Sequence, residues 1–154
     1  MSMRLANLPF LALALTLAPV AQAQRCKSVH ADLVEVASTE GCNPGLSSCF
    51  LGELDGNHGL RGTTHFNGDS GAAGPATSPG FISYSGPFEY RTPRGTIRAR
   101  STGVTNPEVV TEYQQVLEGD GDFAGVTGHF FVSGHKLGNG VIETRVRGEL
   151  CRQR

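Results

Sequence analysis

The sequence predicts an all-β protein, a closed antiparallel barrel of eight strands. Apolar and polar residues alternate along much of the chain with the two-residue period of half-buried strands, and no convincing amphipathic helix is present. The 21 glycines among 154 residues indicate a tightly curved sheet. Closure into a barrel is favoured over an open sheet because it leaves no exposed edge.

Residues 1–23 have the pattern of an export signal. Arg4 precedes an apolar run from Leu8 to Val20, and Ala21-Gln22-Ala23 supplies the small-x-small pattern of a cleavage site. We expect cleavage after Ala23. A retained membrane anchor is the disfavoured alternative, because the run, broken by Pro19, is shorter than the roughly 20 residues that cross a bilayer. Residues 24–154 then form a single barrel domain, secreted or periplasmic, with no membrane contact after cleavage.

The mature chain has no basic surplus. Without Arg4 it carries 12 basic and 14 acidic residues, so the charge footprint of a nucleic-acid-binding protein is absent. Its four cysteines predict two disulfides in an oxidising compartment. Three pairings are open, and we favour Cys26 with Cys151, which ties the chain ends, and Cys42 with Cys49, which closes a small loop. The cysteine spacing does not match a structural zinc site, and we expect no metal and no cofactor.

The first half of the mature chain predicts three strands and a loop. Val29 to Val36 is the first strand. Two alternating segments follow on either side of Asp55-Gly56-Asn57, a hairpin signal. The residues on their alternate positions are Phe50 and Leu54, then Leu60, Thr64 and Phe66. Gly68 to Gly80 is rich in small residues and predicts a long polar surface loop, with a lid over a site as the alternative.

The middle of the chain predicts three more strands. Ile82, Tyr84, Gly86, Phe88 and Tyr90 alternate on one face, and the turn Thr92-Pro93-Arg94-Gly95 leads into Thr96 to Thr102. Thr111 to Leu117 follows.

A glycine-rich corner and the last strand complete the barrel. In Gly119 to Gly134, five glycines punctuate a short apolar series that ends as a strand. In Val141 to Leu150, apolar residues alternate with Glu143, Arg145, Arg147 and Glu149. Four charges on one face are incompatible with the lipid-facing side of a transmembrane barrel.

The sequence resembles the allene oxide cyclase and dirigent-like barrels, especially small exported bacterial members. The resemblance rests on Gly-x-Gly-x-Phe-x-Gly-x-x-Gly at 119–128 and on the closing Gly148-Glu149-Leu150-Cys151. The stretches 52–56 and 85–104 are also similar to the family's middle strands. The resemblance implies an eight-stranded antiparallel, calycin-like barrel with an interior pocket, associated as a trimer or dimer. It also implies an activity that cyclises an epoxide or guides radical coupling by confinement. No catalytic residue is carried over.

The predicted ligand is a small apolar or phenolic molecule inside the barrel. Candidate pocket residues are the aromatic side chains of the predicted inner face and one acid: Tyr84, Phe88, Tyr90, Phe66, Phe130 and Glu53. Tyrosine hydroxyls favour a pocket over a solid core because a buried phenol requires a polar partner. The alternative is a non-catalytic module of the cell envelope whose outer faces mediate oligomerisation or other contacts.

Two polar groups have alternative interpretations. Arg98 and Arg100, taken with Glu112 and Tyr113 on the next strand, either bind an anionic or phenolic ligand inside the barrel or lie outside as solvated cross-strand charges. We favour the outside. Among the five histidines, His65 and His129 are the best pair for a metal site, but singly hydrogen-bonded or exposed imidazoles are the favoured interpretation.

Overall fold

The computed structural model describes residues 25–45 and 48–152. The predicted signal, residues 1–23, with its cleavage position lies outside the described residues. The described chain forms nine strands: β1 Arg25–Ala37, β2 Cys49–Gly56, β3 Arg61–Asn67, β4 Ser70–Ala73, β5 Ile82–Thr92, β6 Gly95–Thr105, β7 Val109–Gly119, β8 Val126–Lys136 and β9 Val141–Arg152. A 3-10 helix, Gly121–Phe123, lies between β7 and β8. Within the described ranges, no helix has the length and apolar character needed to cross a membrane.

Eight of the strands close into an antiparallel barrel, as predicted. Sheet neighbours run from β3 through β2, β1, β9, β8, β7 and β6 to β5, and a further pairing of β3 with β5 completes the ring. The first and last strands pair over their whole length, from Arg25 opposite Arg152 to Val36 opposite Val141. All of these pairings are antiparallel.

The short strand β4 corrects the prediction that Gly68 to Gly80 form one long polar surface loop. Ser70 to Ala73 pair with Ile82 to Ser85, on the part of β5 that extends beyond its pairing with β3. All four β4 residues are exposed. A strand with no face against the core has no hydrophobic period by which the sequence would reveal it.

Aromatic rings fill much of the barrel interior. Phe66, Phe88, Tyr90 and Phe130 are each at most 2% exposed, and successive rings lie in contact, with Tyr90 and Phe130 centroids 5.3 Å apart. Burial of such side chains is the largest stabilising contribution in a small domain. Ile82, predicted on the same face, is 49% exposed because it lies at the barrel rim.

The glycine-rich corner closes the end of the barrel that carries the 3-10 helix, here called the lower end. Phe123, from the 3-10 helix, is buried together with Val126 and Leu60. Gly121 and Gly125 have positive φ, and a Cβ at Gly128 would lie 2.1 Å from the carbonyl oxygen of Glu149. The predicted reasons for glycine at this corner, backbone conformation and close strand approach, are therefore confirmed.

Both favoured disulfides are present. Cys26 and Cys151 are opposite each other on β1 and β9, and Cys42 is joined to Cys49 at the start of β2. Disulfides persist in oxidising surroundings, so the pairs indicate an extracellular environment.

Candidate functional site

A cavity of about 290 Å³ occupies the upper mouth of the barrel, at the end opposite the 3-10 helix. Its walls come from the ends of eight strands, and β4 with its preceding turn forms one side of the rim. The lining side chains and backbone are Glu35, Ser48, Phe50, Phe66, Gly68, Ser70, Gly71, Ile82, Tyr84, Thr105, Val110, Glu112, Lys136 and Ile142.

Two buried carboxyl groups face this cavity. Glu35 on β1 is 5% exposed and Glu112 on β7 is 7% exposed. Glu35 continues the inward face of Ala31 and Leu33, and Glu112 continues that of Val110. Because buried ionised groups are costly unless they are paired, two acids in one apolar cavity require a structural explanation.

Glu112 is held by a hydrogen-bond network. Its Oε1 accepts a hydrogen bond from the Tyr84 hydroxyl at 2.7 Å. Its Oε2 accepts from the Ser101 hydroxyl at 2.7 Å and from Gln114 Nε2 at 2.9 Å. The Tyr90 hydroxyl in turn donates to Gln114 Oε1. Three donors converge on this carboxyl group, so both of its oxygens have a protein partner.

Glu35 lacks such support. Its Oε1 is buried and has no hydrogen-bond partner among the described residues, and neither has the Thr64 hydroxyl. Burial, with a smaller contribution from the Glu112 charge, raises the pKa of Glu35 from 4.5 to about 8. Glu35 is therefore a neutral carboxylic acid at pH 7, able to donate a hydrogen bond into the cavity.

Burial and the charge of Glu112 also shift the pKa of Tyr84, the residue that donates to Glu112. Burial, followed by the charge of Glu112, raises the pKa of Tyr84 well above its ordinary value of 10. Its hydroxyl is thus a permanent donor to Glu112, which leaves the ring face to the cavity.

Lys136 is the basic residue among the cavity-lining side chains. It is half-buried at the rim, and its ammonium forms no ion pair within the described ranges. Burial lowers its pKa below the ordinary value. Glu35 and Lys136 both pair with Ile142 on the strand between them, so they flank the same part of the mouth.

The aromatic pocket candidates divide into two levels. Tyr84 and Phe66 line the cavity, with ring centroids 5.6 Å apart. Phe88, Tyr90 and Phe130 are fully buried beneath it and do not line it. Three of the five aromatic candidates are therefore packed core, and two line the cavity.

Glu53 is misplaced in the prediction. It is exposed on the outer face of β2, since its neighbour Leu54 is the residue that points inward. The acids at the cavity are Glu35 and Glu112. Sequence reasoning did not consider Glu35, and it named Glu112 only within the group of Arg98 and Arg100, for which the outside face was favoured. The available signal was strand phase: each acid lies two residues from an inward apolar residue, Leu33 and Val110 respectively.

The predicted polar group of β6 and β7 is split between the two faces of the wall. Arg98 and Arg100 lie outside, as favoured, and Tyr113 is 40% exposed. Glu112 points inward instead, because neighbouring residues of a strand project to opposite faces. Arg100 donates to both carboxylate oxygens of Asp69 and, at 2.8 Å, to the Ser85 hydroxyl, so it fastens the segment that leads into β4.

The structure does not bring His65 and His129 together. They lie on β3 and β8, four strand positions apart around the eight-stranded ring. His65 Nε2 is 3.5 Å from Cys49 Sγ, and His129 packs against Tyr113 and Phe131. Within the described chain, the one group of three ligand-type side chains contains Cys26 and Cys151, which are consumed by their disulfide.

Comparison of the chain with protein-family models, with curated proteins and with solved structures finds no match.

Proposed function

We propose that this protein is an exported barrel that binds a small, largely apolar molecule carrying a hydrogen-bonding oxygen, such as a phenol. The observation that supports this most directly is the buried, unpartnered carboxyl oxygen of Glu35, a residue that lines the mouth cavity. A buried polar atom without a partner costs about 1–3 kcal/mol. A ligand hydroxyl or carbonyl group would satisfy it.

The dimensions and lining of the cavity define the ligand class. Ligand pockets are mostly apolar with a few placed polar groups, and here Phe50, Phe66 and Ile142 surround Glu35. A cavity of about 150 Å³ admits benzene, so 290 Å³ suits a molecule of about two rings. The neutral acid favours a neutral oxygen on the ligand, because a hydrogen bond to it carries no further charge into the cavity.

The catalytic form of the proposal is the steering of a reactive ligand by confinement, consistent with the resemblance to allene oxide cyclase and dirigent-like barrels. Glu35 would supply a proton donor at neutral pH to an epoxide or carbonyl oxygen, since its pKa is about 8. Tyr84 and Glu112, fixed by their mutual hydrogen bond, would give the cavity a rigid wall.

Equilibrium dialysis with 2-naphthol and naphthalene tests the proposal. We expect 2-naphthol to bind the wild type and to bind Ile82→Trp at least about tenfold more weakly, because the larger side chain blocks the mouth. Leu117→Trp is the matched control, since Leu117 is 64% exposed on the outer wall. Glu35→Leu should weaken 2-naphthol about tenfold while leaving naphthalene unchanged. Equal binding by all variants would refute a site at this mouth.

A second candidate function is a non-catalytic envelope module that acts through its outer face. It is favoured by an exposed cluster formed by Tyr113, His129 and Phe131, in which Phe131 is 55% exposed and its ring centroid lies 5.4 Å from that of Tyr113. Exposed aromatic side chains are enriched at protein interfaces. Loss of self-association in Phe131→Ala, measured by analytical ultracentrifugation, together with no 2-naphthol binding, would favour this function over the first.

A further inference from the structure

A second, basic cleft of about 420 Å³ lies at the lower end of the barrel, away from the mouth cavity. Its floor is made by the buried residues Phe123, Val126 and Leu150. Its walls carry four basic side chains, one histidine and one acid: Arg25, Lys27, Arg94, Arg152, His58 and Asp122. The whole chain has a formal charge of −1, so this concentration of positive charge is local and does not follow from composition.

The strand register forces two of these cations together. Arg25 and Arg152 are direct cross-strand partners on β1 and β9. The adjacent pair, Cys26 and Cys151, is covalently joined, with Cα atoms 3.9 Å apart. Like charges directly opposite each other on neighbouring strands are destabilising, and the disulfide prevents the strands from separating to relieve the repulsion.

The structure supplies little counter-charge. The one acid of the cleft, Asp122, already pairs with Arg94 at 2.7 Å. Arg25, Lys27 and Arg152 form no ion pair with any described carboxylate. Three cations with no ion-pair partner in the described part of the chain surround one concave surface. An oxyanion would neutralise them, and arginine in particular donates two hydrogen bonds to one phosphate.

We propose that this cleft is a binding site for a phosphate group, held by Arg25, Lys27 and Arg152. The ligand is either a free phosphate ester or the headgroup of an anionic lipid, since both present the same oxyanion. The site is independent of the mouth cavity, as the two lie at opposite ends of the barrel and share no lining residue.

The proposal is tested on the full disulfide-bonded protein, without reductant and at low salt. Inorganic phosphate is titrated by isothermal calorimetry, and vesicles of phosphatidylglycerol or of phosphatidylcholine are used for co-sedimentation. We expect Arg25→Gln and Arg152→Gln each to weaken phosphate binding about tenfold, the effect of losing one charge-assisted hydrogen bond. Because the substitutions relieve like-charge repulsion, neither variant should be less stable than the wild type.

Arg145→Gln is the matched control. Arg145 is exposed on the outer face of β9 and lies 3.8 Å from Asp32, so its loss should leave phosphate binding unchanged. Binding to phosphatidylglycerol vesicles but not to free phosphate, with the same dependence on Arg25 and Arg152, would support the site and identify a lipid as the source. The proposal is overturned if neither probe binds, or if Arg145→Gln weakens binding as much as Arg25→Gln.

Discussion

The Tyr84 hydroxyl reaches Glu112 by passing directly over Gly103. The three residues are in register on β5, β6 and β7, so Gly103 lies between the donor and the acceptor. A Cβ on Gly103 would lie 2.6 Å from the tyrosine oxygen and 2.9 Å from Glu112 Cγ. The absence of a side chain on the middle strand is therefore what makes the 2.7 Å hydrogen bond possible.

Gly103→Ala should break this hydrogen bond. We expect a loss of about 2–3 kcal/mol in the free energy of unfolding, because the buried Glu112 carboxylate would lose a donor. Urea denaturation measures the loss. Gly138→Ala is the matched control, since a Cβ there meets nothing within 4 Å. An equal change in both variants would show that the cost arises from the glycine substitution itself rather than from Tyr84 and Glu112.

Glu35 should make the protein less stable as the pH rises. Its pKa in the folded protein is about 8 against 4.5 ordinarily, so between these values the folded state retains a proton that the unfolded state releases. The unfolding free energy attributable to Glu35 is then greatest below pH 4.5. It falls by about 1.4 kcal/mol per pH unit until about pH 8 and is constant above.

The comparison of wild type with Glu35→Gln isolates this effect. Urea denaturation at pH 5, 6.5 and 8 should show the variant gaining stability relative to the wild type at each step. Glu53→Gln changes an exposed carboxyl group on the outer wall. Its free energy of unfolding should vary with pH in the same way as that of the wild type. If the free energy of unfolding of Glu35→Gln has the same pH dependence as that of the wild type, Glu35 is not protonated at neutral pH.

Asp69→Asn should make β4 and the turn before it, which form one side of the rim of the mouth cavity, more mobile. Asp69 accepts two hydrogen bonds from Arg100, which hold its pKa below the ordinary value of 3.8. Loss of this contact should speed amide hydrogen exchange of Ser70 to Ala73 and weaken 2-naphthol binding, since Ser70 and Gly71 line the cavity. Asp55→Asn removes a comparable exposed pair with Arg61 and should change neither measurement.

The two disulfides should differ in their effect on stability. The chain-entropy model gives about 5 kcal/mol for the loop closed by Cys26 and Cys151 and about 2 kcal/mol for the loop closed by Cys42 and Cys49. The loops span 125 and 7 residues. Urea denaturation of the two double Cys→Ala variants checks this order. A larger loss from the short loop would mean that folded-state contacts, not chain entropy, determine the contribution.

The sequence predicted the barrel because most strands follow the two-residue period closely. In β9, Ile142, Thr144 and Val146 are buried while Glu143 and Arg145 are exposed, as the alternation requires. The predicted span, Val141 to Leu150, ends two residues before the observed Arg152. Pairing of the first and last strands followed from closure, because an unpaired edge would otherwise remain.

The cavity was harder to predict because its polar residues interrupt that period. Glu112 was grouped with charged neighbours, although it shares the inward face with Gln114 and Val116. Glu35 was not considered, although it continues the face of Leu33. The better signal is the glycine opposite each acid. Gly52 and Gly103 lie beside Glu35 and Glu112 in register, where a Cβ would come within 3 Å of the acidic side chain.

The pairing of β1 with β9 also constrains the order in which the protein can fold. The partner of the first strand lies 125 positions later in the chain, so the ring cannot close until β9 has been synthesised. Contacts between such distant segments form slowly, commonly over milliseconds to seconds. During that interval β1 and β9 each expose an unpaired edge. The nascent barrel is therefore most vulnerable to aggregation just before it closes, and a thiol oxidant that joins Cys26 to Cys151 would end that period.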